Sequence, residues 1–353
     1  MSIESKKLKV GILGASGYTG AEAMRLLLRH PGVELAVLTA DRKAGQPVAE
    51  VYPHLGGYGL PDMISVAEAD WSSVDVVFCG LPHGTTQEII ATLPTSVKVI
   101  DLSADFRLRN PDTYKEWYGH THMAMDLQGT AAYGLTEFNR EAVKSARLVA
   151  CPGCYPTATL LALLPLVSAG LIDPLDLVID AKSGITGAGR GLKQNTLFSE
   201  AGEGLSPYSV SKHRHAPEIE QEVAKAAGLS DLDVRVNFVP HLVPMSRGEL
   251  VTCHVRLTGG KTVADLRTEY ARAFKDEPFV RLLIAGAMPQ TQMVRGSNNC
   301  VLNVFEDRIS GRATVIAAID NLVKGSSGQA VQNMNLMCGF DEALGLEQVA
   351  LFP

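Results

Sequence analysis

Cys154 follows Cys151-Pro152-Gly153 and stands just ahead of Ala158 to Ala169, an almost wholly apolar stretch whose spacing predicts a buried helix. A sulfur at a helix N-terminus meets unpaired backbone N–H groups and the positive end of the helix dipole, which favour the thiolate and make it a nucleophile. The C-x-x-C spacing also admits a redox disulfide or half of a zinc site. No second C-x-x-C and no Cys/His cluster completes such a site, so no metal is expected. Cys79, Cys253 and Cys300 fall in apolar strand-like runs, where an inert core thiol is expected.

A nucleophilic sulfur needs a proton carrier nearby, and histidine titrates in the useful range. His213 and His215, in Lys212-His213-Arg214-His215, are the candidates; two apart in an extended segment, they would point the same way, and the sequence does not choose between them. Glu218 could orient one of them or serve only the following helix as a first-turn acid, and is left out of the catalytic set. A guanidinium can bind an anionic group such as a phosphate or carboxylate through two bonds, so arginines are the candidates for anion binding. Arg107, just beyond a strand, is the first choice, with Arg109 as its local control. Arg190 or Arg247 could bind a carboxylate.

Three glycines, Gly14, Gly17 and Gly20, lie between the apolar run Leu8–Leu13 and a helical segment, Ala21–Arg29. Glycines in such a strand-to-helix turn let backbone N–H groups approach a pyrophosphate. Gly14, Ser16, Gly17, Tyr18, Thr19 and Gly20 are therefore the expected dinucleotide-binding residues, although the spacing is G-x-x-G-x-x-G and not the usual G-x-G-x-x-G. After the second strand come Asp41, Arg42 and Lys43; an acid there suits the ribose of NAD, whereas Arg42 and Lys43 suit the 2'-phosphate of NADP, and the two cations tilt the choice to NADP(H). The glycine-rich loop Ser183–Gly191 is expected to approach the nicotinamide half through Ser183, Gly187 and Gly189.

These groups need two supporting bodies, the usual number for 353 residues. Strand runs at 8–13, 33–39, 75–79 and 97–102, with helices at 21–29 and 87–93, predict an α/β Rossmann-type dinucleotide-binding domain over residues 1–150. Strand runs at 175–181, 234–239, 249–257, 300–305 and 313–318, with a helix at 263–274, predict an α+β catalytic and oligomerisation domain with a mixed sheet over 151–320. A final helix over 329–337, after a loop at 325–328, is expected to pack back on the first domain as part of a C-terminal segment covering about 320–353.

A net charge of -6 disfavours nucleic acid and anionic membrane as partners, and no run approaches the roughly 20 apolar residues of a membrane span. The first ten residues lack the apolar core of a secretory leader, so a cytoplasmic location with reduced thiols is expected, or an organelle if a transit peptide was removed.

Several ordered motifs carry a resemblance: GASGYTG (14–20), LSADFR (102–107), YGLTEFNR (133–140), PGCYPT (152–157), HRHAPEI (213–219), PHLVPMSRG (240–248) and VRGSNNC (294–300). In this order, spanning nearly the whole chain, they resemble the N-acetyl-gamma-glutamyl-phosphate reductases, with Cys154 at the nucleophile position of PGCYPT. The resemblance implies the fold of the wider aspartate-semialdehyde dehydrogenase group. It also implies NADPH-dependent reduction of an acyl phosphate to an aldehyde and inorganic phosphate through a thioester, in arginine biosynthesis, by a homodimer or homotetramer. Use of Arg107 for phosphate likewise gains support from it. Cys151 departs from the family pattern, where Asn is more usual before Pro-Gly-Cys, and leaves an extra thiol. Two rival readings are the same chemistry on aminoadipyl or aspartyl phosphate, and a catalytically silent NADPH-binding protein.

Overall fold

A computed structural model describes residues 7–353; the reading of the first ten residues as lacking a secretory leader therefore rests mostly on residues outside those described. Among the described residues, no helix is long and apolar enough to cross a membrane. The described residues form two compact units: 7–152 with 326–347, and 153–325 with 348–353.

The first unit is built on seven parallel strands: β1 (Leu8–Leu13), β2 (Val33–Thr39), β3 (Met63–Ile64), β4 (Val76–Cys79), β5 (Lys98–Asp101), β6 (Ala132–Tyr133) and β7 (Leu148–Ala150). Their order, β3-β2-β1-β4-β5-β7-β6, reverses direction between β1 and β4, which places the C-terminal end of β1 where such sheets bind ligands. Strands covered on both faces read as unbroken apolar runs, as in Val76-Val77-Phe78-Cys79, all fully buried. Helices α1 (Tyr18–Leu27), α2 (Thr86–Thr92), α3 (Pro111–Tyr118) and α4 (Thr136–Ser145) belong to this unit. Helix α1 starts three residues before the expected Ala21, because Gly17 itself is the N-cap and Tyr18 the first helical residue. The C-terminal helix, Gly328–Cys338, packs on α1, α4 and β5. It stops at Gly339, whose φ of 76° ends the helix, so most of 339–353 is irregular.

In the second unit, α5 (Cys154–Ser168) begins at Cys154 itself, four residues before the expected start. All thirteen residues from Tyr155 to Val167 are buried, the pattern of a helix surrounded by core. Each fully buried leucine contributes roughly 1.5–3 kcal/mol, so the end of the helix that bears Cys154 is firmly anchored. The sheet holds β8 (Ile172–Gly184), β9 (Ser206–Pro207), β10 (Asn237–Val243), β11 (Glu249–Leu257), β12 (Val280–Leu282), β13 (Cys300–Glu306) and β14 (Arg312–Ile319), in the order β12-β13-β14-β11-β8-β10-β9. It is mixed: β8 pairs parallel to β10 and antiparallel to β11. Helices α6 (Ala216–Ala227) and α7 (Val263–Ala273) complete the unit. Strand β8 is longer than the expected 175–181 and takes in Ser183 and Gly184, so those two residues lie on a strand and not in a loop. The segment 325–328 is not a loop either: Val323–Ser327 is a π-helical turn running straight into Gly328–Cys338.

Candidate active site

Cys154 is half-buried at the first position of α5, behind Gly153 as N-cap. Two glycines mould its surroundings. A Cβ on Gly325 would lie 2.8 Å from the Cβ of Cys154, and a Cβ on Gly153 would lie 2.3 Å from Nε2 of His215. Since φ and ψ of Gly153 (−65°, 161°) suit any residue, its glycine is explained by the imidazole alone. The backbone N–H of Gly153 donates to Oε1 of Glu218, a buried acid in the first turn of α6, at 2.9 Å. Glu218, set aside on sequence, thus holds the residue before the candidate nucleophile.

His213 and His215 do come together, with ring centroids 4.6 Å apart and edge-to-face. The reason differs from the expected strand alternation: the segment is a turn, and His215 is the αR N-cap of α6. Nδ1 of His213 accepts the backbone N–H of His215 at 3.1 Å, which leaves the ring proton of neutral His213 on Nε2. Burial, with Arg214 nearby, pushes the His213 imidazole down to about 4. Tyr155 lies edge-on to both histidines, and its hydroxyl donates to the carbonyl of His241 at 3.0 Å.

Glu249 escaped the sequence reading. It is completely buried at the start of β11, and burial pushes its carboxyl up to about 8, with the Cys154 thiol and the Ser183 hydroxyl pulling the other way and Asp320 adding to the rise. Neither carboxyl oxygen has a hydrogen-bond partner of good geometry among the described residues. Gly187 is pressed on Ser183, since a Cβ there would lie 2.9 Å from Oγ, whereas Gly189 has a φ of 81° and open space around it. Arg190 is exposed, and Arg247 lies 3.6 Å from Asp320. Cys253 and Cys300 are fully buried core thiols.

Within the first unit, the three glycines of the turn do different jobs. Gly14 has a φ of 83° and a Cβ there would meet the Gly80 carbonyl at 2.8 Å; one on Gly20 would meet the Gly14 carbonyl at 2.5 Å. Gly17 has an ordinary φ of −84°, and a Cβ there would touch only the Gly14 carbonyl, at 3.5 Å. The fold itself therefore requires Gly14 and Gly20 but leaves room at Gly17, at the N-terminus of α1, where a bound phosphate would need the backbone bare. Tyr52, missed on sequence, donates its hydroxyl to the carbonyls of Ser16 (2.6 Å) and Gly17 (2.9 Å), and Ser327 donates to the carbonyl of Thr19 at 2.8 Å. Arg42 and Lys43 are exposed in the turn after β2.

The LSADFR motif does more than carry an arginine. Asp105 accepts hydrogen bonds from the Gly84 N–H at 2.8 and 2.9 Å, from the Thr86 hydroxyl at 2.5 Å and from the Tyr114 hydroxyl at 2.8 Å. It thereby fixes the loop after β4, beside the glycine turn. Arg107 is buried, and its Nε and one Nη donate to the carbonyls of Cys151 (2.7 Å) and Leu102 (3.1 Å), which sets the plane of the guanidinium. Arg109 is exposed. Burial pushes the Cys151 thiol up to about 12, while Asn333 donates to its sulfur at 3.6 Å, so this second thiol is inert at neutral pH.

Two family models match the chain: "Semialdehyde dehydrogenase, NAD binding domain" over residues 9–146 and "Semialdehyde dehydrogenase, dimerisation domain" over 154–321. A relative from Arabidopsis thaliana, "Probable N-acetyl-gamma-glutamyl-phosphate reductase, chloroplastic", is 55% identical over 99% of this chain and 86% of its own. One from Rhodospirillum rubrum, "N-acetyl-gamma-glutamyl-phosphate reductase", is 54% identical over 99% of this chain and 100% of its own. Among solved structures, aspartate semialdehyde dehydrogenase II from Vibrio cholerae superposes with a TM-score of 0.72 at 18% identity, covering 95% of this chain and 99% of that one. The Candida albicans aspartate semialdehyde dehydrogenase solved with NADP gives 0.67 at 17% identity, covering 94% and 98%. At these identities the solved structures speak for the fold.

Proposed function

This chain is an oxidoreductase that belongs to the N-acetyl-gamma-glutamyl-phosphate reductase family, and on that premise we propose that it reduces N-acetyl-gamma-glutamyl phosphate with NADPH, through a thioester on Cys154, as a step of arginine biosynthesis. The products are N-acetylglutamate 5-semialdehyde and phosphate. The observation that carries the reading is Cys154 at the first turn of a buried helix with His215 seated against Gly153.

The thiolate of Cys154 attacks the acyl carbon; the carbon–sulfur bond forms, the carbon–oxygen bond to phosphorus breaks, and phosphate leaves. NADPH, when bound, would supply the hydride needed to bring the thioester carbon to the aldehyde level. Collapse of the resulting thiohemiacetal breaks the carbon–sulfur bond and returns the thiolate. Of the two histidines, His215 is assigned proton transfer, because its ring borders the nucleophile's turn while Nδ1 of His213 is committed to backbone. His213, held neutral, packs and orients it. Arg107 is assigned to the phosphate, Arg190 or Arg247 to the substrate carboxylate, and Ser183, Gly187 and Gly189 to the nicotinamide side.

The residues fit a dinucleotide: Gly14, Ser16, Gly17, Tyr18, Thr19 and Gly20 would hold the pyrophosphate, with the bare Gly17 backbone as the point of approach, and Arg42 and Lys43 would hold the 2'-phosphate. The protein is assigned to the cytoplasm as a homodimer or homotetramer joined through the second unit, in keeping with the description of the matched dimerisation domain.

The reverse reaction tests this: N-acetylglutamate semialdehyde, phosphate and NADP or NAD are mixed with the protein, and reduced nicotinamide is followed by absorbance, with Cys154→Ala alongside. Phosphate-dependent reduction that prefers NADP and disappears in the variant is expected. Activity only with another semialdehyde moves the substrate, and full turnover by Cys154→Ala removes the nucleophile.

A further inference from the structure

Along β11 the buried positions alternate: Glu249, Val251, Cys253 and Val255 share one face, and α5 packs on this strand. Three of the four bury apolar or thiol groups, and the fourth buries a carboxyl. A carboxyl at a core position breaks the binary pattern of the strand, and such breaks concentrate at functional sites. The register sets Glu249 opposite Ser183 of β8 and Ile319 of β14. A Cβ on Gly325 would lie 2.8 Å from the Cβ of Cys154 and 3.2 Å from Cδ1 of Ile319, so the start of β11 adjoins the start of α5.

We propose that Glu249 is a positioning residue for Cys154: as the neutral acid it donates its O–H to the sulfur and so favours the thiolate, the thiol proton passing to the imidazole of His215. The S–H bond breaks, an N–H bond forms on His215, the O–H bond of Glu249 stays intact, and sulfur and carboxyl together carry a single negative charge once the thiolate has formed. This rests on Cys154 being the nucleophile. The other groups acting around the carboxyl are the phenols of Tyr155 and Tyr208, the hydroxyl of Ser183 and the carboxylate of Asp320, with Arg247 beside Asp320. Burial and Asp320 both favour the neutral carboxyl, the form that can donate. Ionisation of Glu249 while the sulfur is also charged would put two negative charges in one dry site, which costs far more than either alone.

The test is the rate at which iodoacetamide alkylates Cys154 in the full chain, read by peptide mass spectrometry from pH 5 to 10, for wild type, Glu249→Gln and Glu249→Met. At pH 7, Gln keeps a donor and should stay within about threefold of wild type, whereas Met has none and should be about tenfold slower or more, as for a thiol whose pKa rises by one unit. Wild type should show a broad rise with pH, because the ionising carboxyl opposes the thiolate, and Gln a single sharper step. Equal rates for Met and wild type, or superposable profiles for Gln and wild type, would overturn the proposal; the second comparison stands even if Met does not fold. Alkylation does not depend on turnover, so these outcomes are distinct from an active Cys154→Ala, which would remove the nucleophile instead.

Discussion

Replacing Gly153 by alanine should disable turnover by moving one ring. The backbone at 153 is already extended, so the added methyl brings no torsional strain. It would, however, lie 2.3 Å from Nε2 and 2.7 Å from both Cδ2 and Cε1 of His215, where ordinary contact begins at 3.4 Å. The imidazole must therefore retreat by about 1.1 Å, the difference between 3.4 and 2.3 Å. It is hemmed in by His213 at 4.6 Å and Tyr155 at 5.9 Å between ring centroids, so the displacement spreads into a packed aromatic cluster. Overpacking of this kind costs roughly 1–3 kcal/mol. A catalytic group misplaced by about 1 Å can cost on the order of a hundredfold in rate. The assay pairs kcat in the reverse direction with thermal unfolding and NADP binding followed by fluorescence. The expected variant is folded, binds cofactor as wild type does, and turns over about a hundredfold more slowly. Wild-type kcat in a folded Gly153→Ala protein would refute the placement of His215 beside the nucleophile.

Two further outcomes follow from the same geometry. Gly17→Ala should fold with near-normal stability and lose cofactor affinity about tenfold or more, whereas Gly20→Ala should lose on the order of 1–3 kcal/mol of stability, because only the second clashes with the turn's own backbone; denaturant unfolding and NADPH titration of both variants would show it, and the reverse ranking would contradict the reading of Gly17. The buried carboxyl should also tie stability to pH. Glu249 binds a proton in the fold up to about 8 but in the unfolded chain only up to about 4.5, so stability relative to Glu249→Gln should fall as pH rises between those values and level off above 8. The total is on the order of several kcal/mol. Urea unfolding at pH 5 and pH 8 measures it, and the Asp101 carboxyl, pushed up to about 7 by burial, is common to both proteins and cancels. An unchanged difference would mean that Glu249 is solvated.

Much of this architecture is written in local pattern. Parallel strands buried on both faces announce themselves as apolar runs, and β11 is found where alternation puts it. Boundaries were less legible where glycine or proline sits inside an element: α1 starts from a glycine cap, and α5 runs through Pro156 and Pro165 from Cys154. The short strands β3, β6, β9 and β12, of two or three residues, carry too little periodicity to be seen. Within the site, Cys154 and the histidine pair stood out because their residue types are rare and reactive. Tyr52, Asp105, Glu218 and Glu249 did not, since each acts through partners 9 to 95 residues away along the chain or hidden in the core. Only in Glu249 was there a local signal, an acid opening a strand whose alternate positions are all buried.

The last ordered helix closes the first unit, and this has a bearing on how the protein is made. Asn333 donates to the carbonyl of Gly134 and accepts from the Thr136 hydroxyl, Ser327 holds the carbonyl of Thr19, and Lys98 reaches the carbonyl of Met337. A ribosome delivers residues 1–152 long before 326–347, so the nascent cofactor unit waits with its sheet partly uncovered while the whole second unit is synthesised. During that interval the second unit, whose main body is contiguous, can fold first. Chaperone demand should accordingly fall on the N-terminal half, and a stop codon just before Ser326 should leave a chain that aggregates through its first unit while its second is complete in all but the six C-terminal residues.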